Sequence, residues 1–152
     1  MTSQTVTTTG RQDDEAQIRR VLDGIVDGLR AKDLDALRRL YADDVVSFDV
    51  EPPLQHVGVD AKLANWARVF AVFAEVGYEF RDLALAVDGS VAFGHAFGRL
   101  SGTLQDGSVT SGMWVRATFG LRRVGGTWLI AHDQVSVPLD LRSGRGLTDL
   151  EP

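Results

Sequence analysis

At Tyr78 the spacing of apolar residues changes period, and that change decides what the chain can fold into. Before it, Ile18, Val21, Leu22, Ile25, Val26 and Leu29 recur at helical steps, which places them along one face of an amphipathic helix. Leu63, Trp66, Phe70 and Phe73 share a helical face in the same way. After Tyr78 the runs Tyr78–Val87, Val91–Thr103 and Ser108–Arg123, and the segment from Trp128 onward, carry strand signals, including the period of two seen where side chains alternate faces. Asp88-Gly89-Ser90, Gln105-Asp106-Gly107 and Gly125-Gly126 separate them and turn the chain back. Helices followed by a meander of strands make an α+β domain, with the helices on one face of a curved antiparallel sheet.

The local signals set the expected boundaries. Met1–Gln12 is polar and threonine-rich and reads as a disordered tail. Helices are expected at Asp14–Ala31, Leu34–Tyr41 and Asp60–Val76. Asp33 and Asp60 serve as caps, and Gly77 as a stop. Val45–Val50 is a strand, ended by Glu51-Pro52-Pro53 because proline donates nothing to a ladder. After Pro138 the chain turns rich in Arg, Gly and Asp and reads as loose. The domain is thus 13–140, between tails 1–12 and 141–152.

Composition narrows the function. A length of 152 residues with 44% hydrophobic and 24% charged side chains fits one folded core. The net charge of −5 lacks the basic footprint of a nucleic-acid binder. There is no cysteine, so disulfides, thiolate metal sites and cysteine nucleophiles are excluded. No run is long and apolar enough to span a bilayer, and the N-terminus has no secretory h-region, so a cytoplasmic location is expected. His56, His95 and His132 lack metal-ligand spacing, and no metal is expected. No glycine-rich dinucleotide fingerprint or P-loop is present, so no nucleotide cofactor is expected. His132-Asp133 followed by Ser136 lies on one strand and cannot adopt triad geometry.

The last strand, Trp128–Val137, draws attention to a site. Strict alternation puts Trp128, Ile130, His132, Gln134 and Ser136 on one side, and Leu129, Ala131, Val135 and Val137 on the other with Asp133. The first face begins apolar and turns polar, as a strand does when it leaves a packed core for a polar-lined cavity. His132 and Gln134 are therefore expected to face a ligand.

The order of elements and three local segments resemble a known family. These are Ala31-Lys32-Asp33-Leu34-Asp35-Ala36-Leu37, Tyr41-Ala42-Asp43-Asp44-Val45-Val46-Ser47-Phe48-Asp49 and Gly126-Thr127-Trp128-Leu129-Ile130-Ala131-His132. Over roughly Asp14–Asp140 the chain is similar to the nuclear transport factor two-like superfamily, in its SnoaL-like and ketosteroid-isomerase-like branch. The resemblance implies a cone-shaped fold, three N-terminal helices on a strongly curved antiparallel sheet around a deep apolar pocket, and often a homodimer. The family includes isomerases, cyclases, hydrolases, dehydratases and non-catalytic binding domains, so fold alone does not decide activity.

The resemblance also points to residues. Asp49 falls where ketosteroid isomerases carry the aspartate that shuttles a proton beside a ketone, work suited to a carboxylate at a pocket. The family's oxyanion tyrosine on the first helix is replaced by Ile25, so another donor must hold developing charge. Arg116, sharing a strand face with Trp114 and Thr118, either faces solvent or pairs inside with an acid. The expected catalytic set is Asp49, Arg116 and His132 in one pocket. Trp66, Phe70, His95, Trp114 and Gln134 are expected to contact the ligand, and His56 to be solvated. The expected activity is cofactor-independent acid–base chemistry, whether isomerisation, cyclisation or dehydration, on a hydrophobic carbonyl or polyketide-like small molecule. A non-catalytic ligand-binding or assembly domain is the alternative. A homodimer through the outer face of the sheet is expected, because helices can cover only one face and the strands carry apolar or small residues on both.

Overall fold

The computed structural model describes residues 8–152. Three helices precede most of the sheet: α1 (Thr8–Ala31), α2 (Leu34–Arg38) and α3 (Val59–Val72). The strands are β1 (Tyr41–Phe48), β2 (His56–Val57), β3 (Phe73–Asp88), β4 (Val91–Leu104), β5 (Met113–Val124), β6 (Thr127–Ser136), β7 (Leu139–Asp140) and β8 (Arg145–Gly146). Six strands form one curved sheet in the order β2-β1-β6-β5-β4-β3. All its pairs are antiparallel except β1 with β6, which run parallel.

Several boundaries differ from the sequence reading. Residues 1–7 of the expected N-terminal tail lie outside the described residues, whereas 8–12 belong to α1. Asp13, Asp14 and Glu15 therefore lie inside the helix, beyond its first turn. Asp14 instead accepts hydrogen bonds from Arg123 (2.9 Å) and from the Trp128 indole (3.1 Å), pinning α1 to the sheet. Asp33 does cap α2, accepting from the Ala36 N–H at 3.0 Å. Tyr41 opens β1 and does not end α2. The third helix stops at Val72, because Phe73 already pairs with Leu104 on β4. Its last carbonyls are closed by Lys32, whose ammonium donates to Phe70 O at 3.0 Å and to Phe73 O. The segment after Pro138, expected to be loose, forms the β7–β8 hairpin.

Register irregularities bend the sheet. Register shifts on β3 between Arg81 and Ala84, with Asp82 at φ 58°, and again on β6 at Ala131. Such bulges bend a strand and raise its twist. The concave face meets the helices: Ile18, Leu22, Ile25 and Leu29 of α1 form one core with Ala117, Phe119 and Leu121 of β5 and Trp128 and Ile130 of β6. Close packing needs the bare face of β4. A Cβ on Gly98 would stand 2.0 Å from the Tyr78 hydroxyl, and one on Gly94 2.6 Å from the Leu85 side chain. The bulky face of β4, with Phe93 and His95, lies outside. Among the described residues no helix is long and apolar enough to cross a membrane.

Candidate functional site

α1, α3 and the bent sheet enclose a cavity of about 430 Å³. One wall is apolar, built from Ile25, Val69, Phe80, Leu100, Val115 and Phe119. The other carries nearly all the polar groups, and β1, α3 and β6 deliver them. On β1, Tyr41, Val45 and Ser47 are buried and Asp43, Asp44 and Phe48 exposed, Asp43 breaking the alternation where the register with β6 shifts between Tyr41 and Val46. Asp49 follows at the cavity's rim. On α3, Lys62, Asn65, Trp66 and Val69 recur at helical steps and face the same space. β6 contributes Asp133 and Val135.

The deepest polar group is a closed cluster. The Lys62 ammonium stands 3.0 Å from the Asp133 carboxylate and donates to Ser47 Oγ at 3.0 Å. The Ser47 hydroxyl donates to the other Asp133 oxygen. All three side chains are buried. The ammonium also lies 5.2 Å from the Trp66 ring centre and 5.7 Å from that of Tyr41, a favourable placement for a desolvated cation. Burial by itself pulls the Lys62 pKa down. The negative charges facing it, on Tyr41 when ionised and on Asp133 and Asp49, outweigh that pull and hold it above the ordinary lysine value. Lys62 is thus a fixed cation at neutral pH. Burial lifts the Tyr41 phenol from 10.0 to about 12, against the opposing pull of Lys62, so Tyr41 stays a neutral donor. Trp66 keeps its indole N–H buried and without a hydrogen-bond partner.

A second polar group marks the rim. Arg68 donates to Asn65 Oδ1 at 3.1 Å, and the Asn65 amide donates to Asp49 Oδ2. The other Asp49 oxygen accepts from the Val50 N–H at 2.8 Å. The carboxylate is oriented from two sides while still lining the cavity. Among the described residues no three His, Cys, Asp or Glu side chains gather as a metal site would require.

With this geometry in view, the comparison with known proteins is decisive for family. The SnoaL-like domain matches residues 18–140. The chain belongs to the SnoaL-like family. Its fold is shared by an NTF2-like protein of unknown function from Pseudomonas putida KT2440, 30% identical, with 93% of this chain and 98% of that one covered at a TM-score of 0.83. A ketosteroid isomerase-like protein from Erwinia carotovora atroseptica SCRI1043 is 24% identical over 80% of this chain and 93% of its own, with a TM-score of 0.66. A candidate dehydratase of the NTF2-like family from Streptomyces avermitilis is 18% identical over 85% and 99%, with a TM-score of 0.75. No curated protein matches the chain.

The SnoaL-like fold sorts the sequence-derived candidates by face. Asp49 and Trp66 line the cavity. Phe70 packs half-buried against the core and does not line it. Arg116 is exposed on the outer face, where its Nε donates to Ser136 Oγ at 3.1 Å. His95, Trp114 and Gln134 are also on that face, paired across strands with Thr118, Arg99 and Thr118 respectively. Trp114 lies under the Arg81 and Arg99 guanidinium groups, 5.9 and 6.0 Å from its ring centre. His132 faces outward too, in contact with the Val46 carbonyl at 2.6 Å and edge-on to Phe48. The expected Asp49–Arg116–His132 cluster therefore does not form. His56, expected in solvent, is buried with its Nε2 unpartnered.

Arg116 lies outside because Val115, Ala117 and Phe119 take the inner face of β5. For His132 the physical reason is one residue. On β6, Ile130 faces Leu121 and His132 faces Gly120, so Ala131 has no counterpart on β5. That bulge inverts the alternation: Trp128 and Ile130 point inward, and beyond it Asp133 and Val135 do. Sequence reasoning missed Lys62, Asp133, Ser47, Tyr41 and Asn65. The available signals were a lone aspartate on an otherwise apolar strand face, and a lysine one turn before Trp66 on an aromatic helix stripe.

Proposed function

We propose that this SnoaL-like domain is a cofactor-independent enzyme that removes a proton next to a carbonyl in a hydrophobic small molecule, leading to isomerisation, dehydration or cyclisation. The observation that carries the reading is the buried Lys62–Asp133–Ser47 cluster on the polar wall of a cavity whose facing wall is apolar and whose rim holds an oriented carboxylate, Asp49. A buried ion pair contributes little to stability compared with apolar packing of the same volume. Its value lies in fixing positive charge where a reaction develops negative charge.

In this mechanism Asp49 takes the proton from the α-carbon, with Asn65 and the Val50 N–H holding its orientation. The electron pair moves into the carbonyl, and the resulting enolate oxygen accepts from the Tyr41 hydroxyl and from Lys62. An ammonium has three donors; Ser47 and Asp133 occupy two, leaving one for the substrate. These groups supply the donor that Ile25, in the cavity wall, lacks. Protonated Asp49 then returns the proton to another carbon, or to a leaving β-hydroxyl. The reading includes a homodimer through the outer sheet face, supported by Val91 and Phe93, which are 55% and 59% exposed.

The test is exchange of α-protons with deuterium oxide across a panel of hydrophobic cyclic ketones, followed by NMR. Exchange above the buffer rate is expected for the native protein, and a fall of ~10²-fold or more for Asp49→Asn. Ketones that bind without exchanging would make this a binding domain. Sedimentation at micromolar concentration checks the dimer.

A further inference from the structure

The cavity continues at its Asp49 end into a second depression, an open groove of about 860 Å³ around the C-terminal end of β6. Asp49, Val50, Val135 and Thr148 line both spaces, so the two meet at the carboxylate. The groove lies between the loop that follows β1 and the β7–β8 hairpin. Its large exposed side chains are apolar, with Phe48, Leu54 and Leu139 40%, 95% and 58% exposed, while Gln55, Gln134, Ser136 and Thr148 add neutral polar groups. Asp49 is the one charged residue in its lining. Large apolar side chains gathered around one depression mark a binding surface. The absence of charge beyond Asp49 fits an occupant that carries none.

We propose that this groove is a tail subsite, which takes the linear apolar chain of a ligand whose carbonyl end occupies the cavity. The inference rests on the acid–base reading above and adds a substrate class to it: amphiphilic carbonyl compounds with a hydrocarbon tail, rather than compact polycycles. Continuity at Asp49 carries the argument. A ligand with its α-carbon at this carboxylate has its carbonyl inside, and the groove is the apolar path that leads away from the same point.

The experiment is calorimetric titration of 2-alkylcyclohexanones, from methyl to octyl, into the native protein and into Leu54→Ser and Leu139→Asp. Both positions are exposed and line the groove alone, outside the cavity that holds the carbonyl and the acid–base groups. Affinity should rise about fourfold per methylene once the chain reaches the groove, as expected for ~0.8 kcal/mol per buried methylene. Either variant should flatten that rise and leave binding and exchange of 2-methylcyclohexanone unchanged. If short ketones bind and exchange but chain length has no effect, the tail subsite is wrong and the acid–base reading stands. If affinity climbs with chain length but no ketone exchanges, the subsite stands and the acid–base reading falls. A native dimer that Leu139→Asp dissociates, with unaltered chain-length dependence, would make the groove an interface between copies and overturn the proposal.

Discussion

Lys62 and Asp133 stand 3.0 Å apart with side chains only 3% and 6% exposed, and Ser47 closes the triangle between helix and strand. Removing one partner leaves a nearly buried charge without its counter-ion. Lys62→Met should therefore destabilise the fold by about 3–5 kcal/mol, and the double variant Lys62→Met with Asp133→Leu should recover most of that loss. Urea unfolding of the three proteins measures it. A single variant as stable as the native protein would show that the pair is not sealed.

The two tyrosines of the chain, Tyr41 and Tyr78, are both shifted up, chiefly by burial. For Tyr41 the shift runs from 10.0 to about 12. The folded state holds this proton more tightly than the unfolded chain does. Its contribution is complete below pH 10 and is lost as pH rises toward about 12. The amount is on the order of 2–3 kcal/mol. Native protein should show no tyrosinate absorbance at pH 10, and ionisation should coincide with unfolding. Tyr41→Phe should flatten the alkaline limb of the stability curve.

The two faces of the sheet make opposite predictions for activity. Arg116→Ala and His132→Ala remove outer-face side chains and should leave ketone exchange unchanged. Asn65→Leu should slow exchange, though less than Asp49→Asn, because the Val50 N–H still orients the carboxylate. Loss of exchange in Arg116→Ala with an intact melting curve would contradict the assignment of faces.

Gly98 sits under the Tyr78 ring, with the hydroxyl 2.0 Å and the ring Cζ 2.6 Å from where a Cβ would stand. Gly98→Ala should cost about 1–3 kcal/mol by overpacking. Combining it with Tyr78→Leu, which clears the space, should cost less than the sum of the two single changes. Additive losses in thermal unfolding would mean that the two positions do not share this contact.

The fold was legible because it rests on periodicity. The helical steps from Ile18 to Leu29 and the Asp33 cap appear in the structure as read, and the expected strands appear with moved starts, β3 at Phe73 and not Tyr78, β5 at Met113 and not Ser108. The site was less legible, for a local reason. Alternation predicts a face only while the register holds, and Ala131 breaks it, so His132 and Asp133 exchange sides. Tyr41 was read as the end of a helix because Leu34, Leu37, Leu40 and Tyr41 keep helical spacing. Its role in β1 depends on pairing with Ile130, which no local pattern contains. The Lys62–Asp133 contact is equally non-local. Each partner alone reads as a stray charge on an apolar face.

The parallel pairing of β1 with β6 also governs when the protein can form. Ser47 meets Asp133 across 86 residues of chain, and β1 has only the two-residue β2 as its other neighbour. During synthesis, α1, α3 and the β3–β4–β5 meander emerge before the strand that must sit beside β1. Until β6 arrives, the first strand keeps an open edge, and Lys62 faces the interior without its counter-ion. Contacts this distant in sequence slow folding, since the loop must close before they add anything. The last strand is therefore the step that commits the whole chain, and nascent protein released before it should be short-lived.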